Sequence, residues 1–151
     1  MPNNHVKAYG IALYKLENNN SIKLLLCKSS KSENRWGFLK GMQQKAESAK
    51  ECAKREFLEE SGIKVDIDFF EEYFEQINKE KDIGIWLVNA KNIKDLDIYF
   101  NDEGKIFDKF ISPENSKVKY FDLNKLPQFK KKQKNLIVKI KGFLENKNQH
   151  H

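Results

Sequence analysis

Three glutamates and a glycine near the end of one stretch constrain this chain more than any other feature. Residues 41–63 read GMQQKAESAKECAKREFLEESGI. Alanines, long polar side chains and one phenylalanine predict a helix from about Ala46, with Gly62 as its stop, because glycine takes the left-handed C-cap conformation without a Cβ penalty. Glu56, Glu59 and Glu60 then share one helical face at i, i+3 and i+4. Each like-charged pair at that spacing destabilises a helix by about 0.2–0.5 kcal/mol. Two of the three also sit in the last turn, where the helix dipole disfavours anions. A divalent cation would offset both penalties, and hard cations such as Mg²⁺ take carboxylate oxygens. The plain alternative for the same acids is a solvated helix face. Arg55 lies four residues before Glu59 and four after Glu51, where it can hold carboxylates by charge-assisted hydrogen bonds. Glu47, two turns before Arg55, reads as a brace rather than a ligand. Ala46, Ala49, Ala53 and Phe57 form the stripe that docks the helix.

The spacing is more specific than the acids alone. Gly41, Glu47, Arg55-Glu56, Glu59-Glu60, Gly62 and an apolar Ile63 stand at intervals that resemble the Nudix box at every defined position. The resemblance implies an α/β fold: an α/β/α sandwich whose mixed sheet carries the catalytic helix on one side and a C-terminal helix. It implies hydrolysis of a nucleoside diphosphate linked to another group, with Mg²⁺ or Mn²⁺ as cofactor. Carried over position by position, Glu56, Glu59 and Glu60 match the metal-binding carboxylates, and the backbone carbonyl of Lys40 matches a further ligand. One carboxylate serves as general base, and Arg55 orients the others. The family often adds an acid from a facing loop, four residues before an apolar–x–aromatic–apolar strand. Glu114, ahead of Val118-Lys119-Tyr120-Phe121, is that candidate, although Asn115 stands where many relatives carry an apolar residue. Asp102 and Glu103 are its rivals.

The lead-in Trp36-Gly37-Phe38-Leu39-Lys40-Gly41 is similar to that of dinucleoside polyphosphate hydrolases and messenger-RNA decapping enzymes, with Leu39 in place of the usual proline. The resulting expectation is a pyrophosphohydrolase for a dinucleoside polyphosphate such as diadenosine tetraphosphate, with Lys40 near the phosphates. Alternatives are an RNA 5′-end pyrophosphohydrolase or decapping enzyme, a housecleaning nucleoside triphosphate hydrolase, and a nucleotide-binding domain without activity. Trp36 and Phe38, with Tyr9 and Trp86, could offer base-stacking surfaces, although core packing is the stronger reading for each of these aromatics.

A length of 151 residues suits one domain, with a core over about residues 6–145. A net charge of +6 favours polyanionic partners, and much of the excess lies in the lysines of residues 130–134, read as the solvated face of a C-terminal helix. Cys27 and Cys52 have no metal-ligand spacing and suggest a reducing compartment. With no run of 18 apolar residues and no apolar leader, the expectation is a soluble cytoplasmic protein. His5, His150 and His151 receive no role, and the last two are either native or the remnant of a purification tag. Elsewhere, strands are expected at 6–16, 22–27, 64–76, 83–90 and 118–123, and a helix over 128–145. Residues 91–113 fit no single pattern.

Overall fold

The computed structural model describes residues 5–31 and 34–149. The first apolar run forms β1 (Val6–Leu16), which turns and returns antiparallel as β2 (Ile22–Ser29). The turn closes on its own polar side chains: Asn19 Oδ1 accepts from the amide and hydroxyl of Ser21. The lead-in to the acidic helix makes two short strands, β3 (Trp36–Gly37) and β4 (Leu39–Met42). β4 pairs with the first half of β1, from Ala8↔Met42 to Ile11↔Leu39, whereas β2 pairs with its last residues from Tyr14 onward. Between Ile11 and Tyr14 the sheet therefore opens on that flank. β6 (Lys81–Asn89) runs parallel to β1 on the other flank. β5 (Tyr73–Gln76) lies outside β6, and β7 (Asn115–Asp122) pairs with β2, completing a mixed sheet of seven strands.

Strand alternation sorts the core into two layers. Ile11, Leu13 and Leu25 meet Ala53 and Phe57 of α1 (Ala49–Ser61) on one face. Ala12, Tyr14, Leu24 and Leu26 meet Leu136, Ile140 and Leu144 of α2 (Lys134–Gln149) on the other. The sheet is thus covered by helices on both faces, as the sequence suggests.

Five local expectations are corrected. The first helix begins at Ala49 rather than near Ala46. Ser48 caps it, and Ser48 and Glu51 exchange side chain-to-backbone hydrogen bonds in a capping box. Ala46 stays outside, exposed and at φ 66°, so it takes no part in the docking stripe. Glu51 is committed to the cap and not to Arg55. The strand expected over 64–76 shrinks to its last four residues, because Asp66 accepts from the Asp68 amide and starts a 3-10 turn at Ile67–Phe69. Phe69 consequently faces solvent, while Phe70 and Phe74 pack against the two core layers. Finally, the lysines of residues 130–134 do not form a helix face: they lead into α2 through the 3-10 turn Lys131–Gln133.

The start of α2 is capped from a distance. The buried Gln76 Oε1 accepts from the amides of Asn135 (2.9 Å) and Leu136 (3.1 Å), satisfying two donors that a helix N-terminus leaves open. Gln76→Ala is expected to cost about 1–3 kcal/mol, the penalty for stranded buried donors. Urea denaturation checks this: the midpoint should fall with the slope unchanged, and an unmoved midpoint would show that water caps α2 equally well.

Candidate active site

The acidic helix is built around Arg55. Its Nε donates to Glu47 Oε2 (2.6 Å) and its Nη2 to Glu47 Oε1 (3.0 Å), a two-pronged pairing. Nη1 donates to Glu56 Oε2 (2.7 Å) and Glu59 Oε2 (3.1 Å), and Nη2 also reaches the Met42 carbonyl (3.1 Å). The five N–H groups of one guanidinium are thereby spent on three carboxylates and a strand carbonyl. Arg55 holds the Glu47 carboxyl below its ordinary range, first through this hydrogen bond. Gly41 permits the arrangement, since a Cβ there would collide with the Glu56 carboxyl. Gly62 ends the helix as expected, at φ 79°, with its amide on the Leu58 carbonyl.

Glu60 is a different kind of acid. Only 6% of it is exposed. Its Oε1 accepts from Asn115 Nδ2 at the start of β7 (3.2 Å), and Cys27 Sγ of β2 lies 3.9 Å away. Burial pushes its carboxyl up to about 8; the negative Glu56 and a hydrogen bond to it act in the same direction, while Asn115 and Lys40 pull down. Burial likewise raises the Cys27 thiol. Glu59, at 55% side-chain exposure, faces outward. At neutral pH without metal, Glu60 therefore keeps its proton.

This has a measurable consequence. In the unfolded chain Glu60 ionises near pH 4.5, and in the folded one near 8. The native state binds the extra proton between those values, so the metal-free protein should lose stability as pH rises from about 5 to 8. Glu60→Gln should flatten that segment in thermal melts taken with chelator. An unchanged slope would show that Glu60 is ionised in the apo protein.

The NUDIX domain model matches residues 5–140 of the sequence. The chain belongs to the Nudix family. Among solved structures, a NUDIX hydrolase from Nitrosomonas europaea is 19% identical, with 100% of this chain and 76% of that chain covered and a TM-score of 0.70. An Ap4A hydrolase from C. elegans, in a binary complex, is 22% identical over 93% of this chain and 98% of that one, with a TM-score of 0.60. A Nudix hydrolase from M. Smegmatis shares 8% identity, covering 97% and 90%, with a TM-score of 0.65. At these identities the likeness is one of fold. No curated protein matches the sequence significantly.

Nudix hydrolases use divalent metals, and the donor chemistry of the Nudix box fits one. Glu56, Glu59 and Glu60 offer hard oxygens, and the buried Glu60 holds a proton where a cation could sit. Among the described residues, however, no three acidic, histidine or cysteine side chains converge on a common point, since Arg55 holds Glu56 while Asn115 and Cys27 flank Glu60. A metal held there would take the place of the Glu60 proton.

The remaining sequence candidates divide. Lys40 is half-buried on β4, and desolvation, with Lys81 and Lys130 nearby, lowers its ammonium to about 8. Glu114 is exposed, and its carbonyl accepts from the amide and hydroxyl of Ser30. Its neighbour Asn115, noted in the sequence only as a departure from pattern, is the residue that touches Glu60. Asp102 and Glu103 are not brought to the box: they line a cavity of about 530 Å³ with Lys15, Lys23 and Tyr120, beside the β1–β2 turn. Trp36 and Phe38 are core residues, edge-on to Phe121 (4.6 Å) and Phe129 (5.5 Å). Tyr9 and Trp86 belong to an aromatic group with Phe70 and Tyr73. His5 bonds Asp82 (2.6 Å), and His150 and His151 lie outside the described residues. Cys27 was legible only as a buried thiol; nothing in its spacing announces Glu60 as its neighbour.

Proposed function

We propose that this chain is a Mg²⁺- or Mn²⁺-dependent pyrophosphohydrolase whose substrate is a dinucleoside polyphosphate such as diadenosine tetraphosphate. The observation that carries the reading is the placement of the half-buried Lys40 within electrostatic range of Glu60, so that a cation-seeking carboxylate face and a phosphate-seeking ammonium adjoin. A phosphate chain satisfies both. The structural likeness to a protein named as an Ap4A hydrolase supports the same choice.

When bound, the divalent cation supplies charge that neutralises phosphate oxygens and acidifies a water. The chain's own groups do the rest. Glu56, Glu59 and Glu60, with the Lys40 carbonyl, would hold the cation. Arg55, anchored by Glu47, fixes Glu56 and Glu59 on the helix face, and positioning of this kind supplies much of the acceleration in phosphoryl chemistry. Water attacks one phosphorus, the bridging P–O bond breaks, and the proton passes to a carboxylate; Glu59, the most exposed of the three, is suited to receive it. Glu114, beside Asn115, would complete the acidic set from the facing loop. The exposed Lys131, Lys132 and Lys134 favour RNA 5′ ends as a second reading.

Product chromatography after incubation with Mg²⁺ and diadenosine tetraphosphate, nucleoside triphosphates, a sugar nucleotide and 5′-triphosphate RNA tests the assignment. The dinucleotide should turn over fastest. A faster RNA reaction would exchange the two readings, and binding without any turnover would make the chain a nucleotide sensor.

A further inference from the structure

Three lysines far apart in sequence meet on the α2 side of the sheet. Leu39 faces α1, so alternation turns Phe38 and Lys40 toward α2. Beneath Lys40 lies Gly10, where a Cβ would collide with the Leu39 carbonyl and the Lys40 side chain. On β6, Ile83, Ile85 and Leu87 line the α2 layer, which puts Lys81 on that same side at the strand's start. Lys130 arrives from the segment before α2, its amide on the Trp36 carbonyl (3.0 Å) and its neighbour Phe129 packed against Phe38. Asn78 Nδ2 donates to the Lys132 carbonyl (3.1 Å), tying the turn before β6 to the lysine segment. Lys40, Lys81 and Lys130 lie within electrostatic range of one another, and Lys40 reaches Glu60.

Clustered, partly desolvated ammonium groups repel one another and forfeit hydration. An anion carrying several charges relieves both penalties at once. We infer that Lys40, Lys81 and Lys130 form a subsite for the phosphates beyond the bond cleaved at the Nudix box, and that Lys81 and Lys130 set a preference for long phosphate chains. This rests on the dinucleoside polyphosphate reading and adds the residues that select chain length.

The test is calorimetric titration of the full-length protein with inorganic tripolyphosphate in chelator, alongside KM for dinucleoside tri-, tetra- and pentaphosphates with Mg²⁺. Lys81→Gln and Lys130→Gln remove the charge while keeping part of the aliphatic stem and should each weaken tripolyphosphate binding about tenfold, the usual effect of losing one charged hydrogen bond. Both should also remove the fall of KM with chain length. Lys131→Gln, an exposed neighbour, should change neither. Equal binding by the wild type and the double variant would overturn the subsite, as would a wild type that does not bind tripolyphosphate. So would variants that lose RNA binding but keep tripolyphosphate. If the lysines bind tripolyphosphate yet no dinucleoside polyphosphate is hydrolysed, the subsite stands and the substrate reading falls.

Discussion

Replacing Glu59 or Glu60 by glutamine is expected to lower kcat by about a thousandfold, the upper range for losing one pre-organised electrostatic group, while the protein stays folded. The two substitutions should differ in stability. Glutamine at 60 can accept from Asn115 as the carboxyl does, and it removes the cost of burying a charge as pH rises. Glu60→Gln should therefore melt at an equal or higher temperature without metal. Adding Mg²⁺ should stabilise the wild type but not this variant, since ligand-linked stabilisation requires binding to the native state. Near wild-type turnover in either variant would remove the carboxylates from the metal site.

Arg55→Ala should be almost as damaging by a different route. The guanidinium touches Glu47, Glu56, Glu59 and the Met42 carbonyl, and reaches none of the lysine cluster. Its loss frees Glu56 and Glu59 to reorient and leaves Glu47 without its partner. A misplacement of about 1 Å costs roughly a hundredfold in rate, so kcat should fall by that order with KM little changed. Arg55→Lys should rescue little, because a single ammonium cannot fork between Glu47 and the helix acids. A large rise in KM at unchanged kcat would instead make Arg55 a substrate contact.

The helix and its acids were legible because capping, periodicity and like-charge crowding are local properties. Glycine at 62, the i, i+3, i+4 glutamates and the Arg55–Glu47 brace all appear where spacing puts them. What escaped depends on pairing between distant strands. Asn115 meets Glu60 only because β7 lies beside β2, and Cys27 joins them from β2 itself. Trp36 and Phe38 take the core role that is the stronger reading, because pairing with β2 and the return of residues 128–130 enclose them. The 64–76 segment failed for a local reason: Asp66 starts a turn that its apolar pattern does not reveal. The lysine run was misplaced because Gln76, remote in sequence, decides where α2 begins.

If the Nudix-box carboxylates act through a divalent cation to break a pyrophosphate bond, the rate of diadenosine tetraphosphate hydrolysis must follow free Mg²⁺ from excess chelator upward. No turnover is expected in chelator, with a saturating rise to full rate with Mg²⁺, lost in Glu60→Gln. A full rate in chelator would contradict that role of the cation.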